Sequence, residues 1–213
     1  MPITLEQLIG IMPSAAAENR AAAWLGPLND AMARFDINQP PRMAMFLANV
    51  AVETGELKAR VESLRYSANR LRQIFPGMFA NRPELADQLV AQGEQAIGNF
   101  IYDDANRSPS GKLGNVNPGD GFRYRGRGPL QITGRANYTR FFKAVGMPVD
   151  SDPIFLETPA GGAVSAAHYW KTHGCNERAD EGDFDECVKL INPGLVDLEK
   201  RRDFHAKAAQ LLS

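Results

Sequence analysis

The segment at residues 40–55, PPRMAMFLANVAVETG, restricts the fold more than any other stretch of the chain. Proline is tolerated in the first turn of a helix and not inside it, so Pro40 and Pro41 mark a start. Met43, Phe46, Leu47 and Val50 then recur at the i, i+3, i+4, i+7 spacing of an apolar helix face. Gly55 is the residue type that ends a helix in a left-handed turn. A helix this apolar must pack against others, and the sequence supplies them. Thr4 and Gln7 form a capping box before LEQLIGI, which Pro13 ends. Ser14 is predicted to cap a helix over 15–25, with Gly26 and Pro27 breaking it before LNDAMARF. Further helices are predicted over 83–102, over 158–170, over 183–191 behind an Asp183/Glu186 capping box, and over 197–212.

One long stretch, 103–128, breaks the helical pattern with six glycines and two prolines. Loops of that length inside a compact domain are usually functional or disordered. FRYRG and PLQIT, in or beside it, alternate like strands and are predicted to form a short hairpin. The class is mainly α, with a small loop or β element near the middle. The 213 residues are 44% hydrophobic, enough for a core of ordinary size, and are read as a single catalytic domain over 1–213 with a loop-rich insertion at about 103–128.

Charge and cysteine usage narrow the function. Twenty-four Lys and Arg face 25 Asp and Glu, which argues against a polybasic nucleic-acid binder. No apolar run reaches the roughly 18 residues of a membrane span. The opening residues, MPITLEQLIGIMPS, lack the basic start and apolar core of a secretory leader, so a cytosolic chain is expected. Cys175 and Cys187 are expected to be buried thiols. Together with His168, His173 and His205 they fit no zinc spacing, and no metal or cofactor is expected.

Glu53 closes the apolar stripe, three residues after Val50 and seven after Phe46. Desolvation and the negative helix end both work there against its charged form, as suits a general acid. The bland alternative is a frayed helix end in water. Glu56 is read as solvent-facing beyond Gly55. Glu62 alone reads as a surface residue paired with Arg65 or Arg70; its interest is as the second of two carboxylates, the minimum equipment for cleaving a glycosidic bond. In YRGRGPLQITGRANY the glycines let backbone approach a ligand, while Gln131, Asn137 and the tyrosines offer hydrogen bonds and stacking faces for sugars. Thr133 doubles as a cap for a helix beginning near Gly134. The same basic and aromatic mix suits single-stranded nucleic acid only weakly, because the chain is close to neutral.

The blocks AVETGEL, VESLRYSANRL, NPGDGFRYRGRGPLQITGRANY, DPIFLETPAGGAVSAAHYW and VKLINPGLVDLEKRRDF, in this order, resemble glycoside hydrolase family 19, and most of all the phage endolysins within it. The resemblance runs from about residue 40 to 212 and is most specific in YRGRGPLQITGRANY. It implies a lysozyme-like, two-lobed α-rich domain with a small loop or β-hairpin element and a central substrate cleft. It matches Glu53 to the general acid, Glu62 to the base that activates water in an inverting mechanism, and Thr133 to the position that helps hold that water. It places Tyr124, Gln131, Asn137, Asn192 and Arg201 in the sugar-binding set. Two positions depart from the family: Val52 stands where a histidine usually precedes the acid, and Pro193 where Asn-Gly-Gly is usual.

The expected function is therefore that of an endolysin hydrolysing β-1,4 bonds of peptidoglycan glycan strands. Such a protein is expected to act as a monomer without nucleic acid, cofactor or membrane anchor. It would wait in the host cytoplasm until a separate holin releases it to the cell wall. A chitinase acting on N-acetylglucosamine polymer, or a glycan-binding relative without activity, would use the same surface.

Overall fold

A computed structural model describes residues 1–58 and 60–213. The chain forms two compact units, one of Met1–Arg60, Gly128–Leu130 and Ile154–Ser213, the other of Val61–Arg127 and Gln131–Pro153.

The first unit opens with α1 (Leu5–Ile11), α2 (Arg20–Arg34) and α3 (Pro40–Thr54). Thr4 and Gln7 make the expected capping box on α1, and Gly55, at φ 56°, ends α3. Two expectations fail between them. Ser14 caps no α-helix: Pro13–Asn19 is a kinked 3-10 segment, and α2 begins at Arg20. Nor does Pro27 break α2, because Trp24, Leu28, Ala31 and Met32 bury one continuous face across it.

The second unit holds α4 (Ala68–Ile74), α5 (Pro76–Phe79), α6 (Leu85–Gln92), α7 (Glu94–Ile101), α8 (Asp120–Arg123) and α9 (Arg135–Ala144). The single helix expected over 83–102 is two. Gly93, at φ 90° and ψ −177°, cannot continue the spiral, and the break folds α6 against α7. The chain then returns to the first unit as α10 (Pro159–Thr172), α11 (Cys175–Asp180), α12 (Phe184–Ile191) and α13 (Leu198–Leu212). Thr158 and Asp183 cap α10 and α12 through their side chains, while Asp197 precedes α13 without a side-chain cap.

Helix α3 proves more buried than an amphipathic stripe. Every residue from Met43 to Ala51 is buried, so α3 is enclosed by α10, α11, α12 and α13. Ala44, Ala48 and Ala51 let those neighbours approach, and Phe46 meets Trp170 edge-on at 5.6 Å. Tight helix contact also explains Gly162, where a Cβ would lie 2.5 Å from the Trp24 ring. Cys175 and Cys187 are free buried thiols in this core, and burial pushes the Cys175 thiol up to about 12.

The second unit packs Leu64, Leu71, Phe79, Leu89, Ile97 and Ile101 into its own core. Its glycine-rich stretch is pegged by buried polar side chains. Asp104 accepts from the Leu113 and Gly114 N–H groups, and Asn115 Nδ2 donates to the Tyr102 carbonyl. Asp120 pairs with Arg135, and Arg127 donates to the carbonyl of Arg123. Buried polar groups with directed partners fix one arrangement, because each would be costly left unpaired. The expected hairpin shrinks to single antiparallel bridges, Val61 with Arg127 and Arg127 with Ile132, because Phe122 and Arg123 belong to α8. Among the described residues no helix is long and apolar enough to cross a membrane.

Candidate active site

Each unit carries one of the two carboxylates singled out in the sequence. In the first, Glu53 lies one residue before the end of α3, its side chain 22% exposed. Asn49 sits one turn earlier on the same face and is buried. Arg201, from the first turn of α13, donates from all three of its nitrogens here: Nη1 to Asn49 Oδ1 at 2.8 Å, Nη2 to the Glu53 carboxylate, and Nε to the Val196 carbonyl at 3.1 Å. The sequence reading left Glu53 facing only apolar neighbours, and the structure corrects it. Arg201, buried to 1% exposure, is its charged partner. The frayed-end alternative falls with it.

A rigid turn follows. Thr54, fully buried, accepts the Leu57 N–H at its hydroxyl (2.7 Å) and the Lys58 N–H at its carbonyl (3.0 Å). Gly55, Glu56 and Leu57 all take left-handed φ angles, 56°, 61° and 69°. The two non-glycines are held there at a cost of about 1–3 kcal/mol each. Glu56 is not solvent-facing as expected: its carboxylate accepts the Ser14 N–H at 2.7 Å and ties the 3-10 segment to this turn. Asn192 ends α12, and its Oδ1 accepts from the Gly194 N–H at 3.2 Å, so its oxygen shapes the local turn through Pro193.

In the second unit Glu62 is anchored from two directions. Its Oε1 accepts the Gly126 N–H at 2.5 Å and its Oε2 the Tyr102 hydroxyl at 2.7 Å. The Glu62 N–H donates in turn to the Gly126 carbonyl at 2.9 Å. Neither Arg65 nor Arg70 is its partner in these bonds; Arg65 pairs with Glu94. Burial, and then the Glu62 charge and hydrogen bond, push the Tyr102 phenol far above its ordinary range, so it is a permanent donor.

Gly126 also shows what else converges on Glu62. A Cβ placed on it would lie 2.5 Å from Gln131 Oε1, 3.2 Å from Thr133 Oγ1 and 3.3 Å from Glu62 Cδ. Three polar side chains thus surround one α-carbon that presents only hydrogen. Gln131 is exposed and held at φ 52°. Thr133 does not cap α9 as expected. Asn115 Oδ1 and the Leu113 carbonyl take the Arg135 and Ala136 N–H groups at 2.8 and 2.9 Å, which leaves the Thr133 hydroxyl to donate to the Gln131 carbonyl at 3.2 Å.

The other predicted sugar contacts sit differently. Tyr124 is 6% exposed, with Tyr138 against its ring edge-on and the Arg135 guanidinium 4.7 Å from its centroid. It is packed into the second unit and presents no open ring for stacking. Asn137 donates to the Thr133 carbonyl at 2.8 Å and accepts from Arg140 at 2.9 Å, bracing the segment that carries Thr133. Sequence reasoning missed Asn49 and Tyr102. Asn49 had a signal, an amide inside an apolar run about one turn before the acid; Tyr102 had none.

This helix-rich architecture is that of solved family 19 chitinases. The fold of chitinase C from Streptomyces griseus HUT6037 superposes over 99% of this chain and 76% of its own, with a TM-score of 0.65 at 20% identity. A bacterial family 19 chitinase gives 0.66 at 21% identity over 99% and 95%, and a class IV chitinase from Zea mays 0.61 at 18% over 99% and 92%. No protein-family model matches the chain. A glycosyl hydrolase family 19 domain-containing protein of Haemophilus influenzae is 33% identical over 162 residues, covering 75% of this chain and 74% of its own. The chain belongs to glycoside hydrolase family 19. It is a glycoside hydrolase.

Proposed function

We propose that the protein is an endolysin that hydrolyses β-1,4 bonds of the peptidoglycan glycan strand with inversion. The observation that carries the mechanism is the convergence of Glu62, Thr133 and Gln131 on the bare α-carbon of Gly126. A water lodged there has a base on one side and neutral hydrogen-bonding groups on the other. Glu62 takes the proton of that water as its oxygen bonds to the anomeric carbon. Glu53 gives its proton to the departing glycosidic oxygen as the old carbon–oxygen bond breaks. Arg201 then stabilises the carboxylate left on Glu53. Inversion calls for carboxyls roughly 6.5–9.5 Å apart, to leave room for the water.

Two features support peptidoglycan as the substrate: the resemblance of the sequence blocks to phage endolysins, and the excess of Lys and Arg over Asp and Glu in the unit bearing Glu62. Peptidoglycan stems carry carboxylates, whereas chitin is uncharged. In this reading the enzyme is a monomer that accumulates in the host cytoplasm and reaches the wall when a holin opens the membrane. Chitin is the second reading, because the solved structures of this fold are named chitinases. Purified protein given peptidoglycan and crystalline chitin in parallel decides between them, with mass spectrometry of the new reducing ends. Faster sugar release from chitin overturns the endolysin reading.

A further inference from the structure

We infer that Tyr102 is a positioning residue for the base, fixing the plane of the Glu62 carboxylate through its hydroxyl. The inference rests on the reading of Glu62 as the base and adds to it the group that aims it. Tyr102 follows α7 directly, and its own backbone is held at both polar groups. Its N–H donates to the Gly98 carbonyl at 3.2 Å, and its carbonyl accepts Asn115 Nδ2 at 2.9 Å. The phenol therefore reaches Glu62 from a fixed point. The hydroxyl meets Oε2 at 2.7 Å while the Gly126 N–H meets Oε1, so each carboxylate oxygen has one donor, from a different chain segment. A carboxylate has about four acceptor positions. Two of them hold the group still, and the remainder stay available for a water. A base held by only one of these bonds could rotate about its terminal torsion, which is broad for glutamate.

The groups around Glu62 keep the test free of charge changes. Tyr66 ahead of α4, Tyr102 after α7 and Tyr138 on α9 all feel the Glu62 charge, and Arg125 and Arg127 oppose it at Tyr138. Burial raises all three phenols above their ordinary range, so none of them changes charge where the enzyme works. Removing the Tyr102 hydroxyl deletes a donor to the charged carboxylate and leaves the count of charges unchanged. A change in rate then reports the lost hydrogen bond and not a lost charge.

The test compares Tyr102→Phe and Glu62→Gln with the unaltered protein, following reducing ends released from purified peptidoglycan across pH 4–9, with thermal melts alongside. Tyr102→Phe is expected to lower kcat about 10- to 100-fold, the usual weight of a hydrogen bond to a charged group. KM should stay within about twofold, because the hydroxyl acts on the base and not on the sugar. If Glu62→Gln is inactive while Tyr102→Phe keeps the kcat of the unaltered protein, the positioning role is wrong and the base reading stands. A Tyr102→Phe protein that melts earlier yet keeps kcat well below its melt, or loses KM and kcat alike, also overturns it, since the hydroxyl would then serve only the fold. An active Glu62→Gln protein overturns the base reading itself.

Discussion

Adding one methyl group at Gly126 tests the water site directly. The Gly126 φ lies outside the left-handed region, so alanine can adopt its backbone and the effect is steric. The new Cβ would stand 2.5 Å from Gln131 Oε1, a distance real contacts do not show, and 3.2 and 3.3 Å from Thr133 Oγ1 and Glu62 Cδ. Gln131 is exposed and its amide is the far end of a flexible side chain, so it can swing away. Thr133 and Glu62 each have to yield a few tenths of an ångström. Overpacking costs about 1–3 kcal/mol, and because the nearest atom ends a flexible side chain this case lies near the low end. For a protein of this size that lowers Tm by about 2–4 °C. The effect on rate is larger, because the methyl occupies the space proposed for the water, and displacements near 1 Å cost about 10²-fold. Reducing-end release from peptidoglycan and a thermal melt measure the two effects separately. The double variant Gly126→Ala with Gln131→Ala sharpens the result: removing the worst clash restores Tm, while kcat stays below that of Gln131→Ala alone because the methyl remains. A Gly126→Ala enzyme with unaltered kcat would refute the placing of the water.

Arg201→Met leaves the Asn49 oxygen and the Glu53 carboxylate without their common partner. Breaking a buried pair costs about 3–5 kcal/mol, and because Glu53 keeps part of its exposure the low end, about 3 kcal/mol, applies, so a fall in Tm of roughly 6–12 °C is expected, and a melt within a degree of the unaltered protein would refute the structural weight given to this pair. Asp120 titrates through opposing effects. Burial alone would raise its carboxyl, but the Arg135 guanidinium and the Asn117 and Val116 N–H groups outweigh burial and hold it below the ordinary range. Its contribution is therefore present above the ordinary carboxyl value and is lost as pH falls through the lower, folded one. Acid titration of stability should be shallower in Asp120→Asn, and an unchanged slope between pH 4 and 2 would count against the assignment.

How much of this was legible beforehand follows from how local each determinant is. The capping box of α1, the Asp183 half of the box expected on α12 and the bounds of α3 lie within four residues of the elements they define, and the structure has them where the sequence puts them. The sequence reading misjudges α2 and the segment over 83–102. At Pro27 tertiary packing overrides a local breaker, and at Gly93 one glycine outweighs a continuous apolar pattern. The two carboxylates stand out by position, yet their partners come from far along the chain. Arg201 lies 148 residues from Glu53, and Tyr102 lies 40 from Glu62. Helical periodicity carries no information over such distances. The family resemblance supplied Arg201 as a residue near the site and said nothing of its bond to Asn49. The same contrast explains Thr133. Its spacing before α9 makes it a good cap on paper, but Asn115 and Leu113 arrive from the glycine-rich stretch and take the first N–H groups. A hydroxyl relieved of capping beside Gly126 is what the proposed chemistry uses. The loop that looked least ordered in sequence is therefore what leaves Thr133 available.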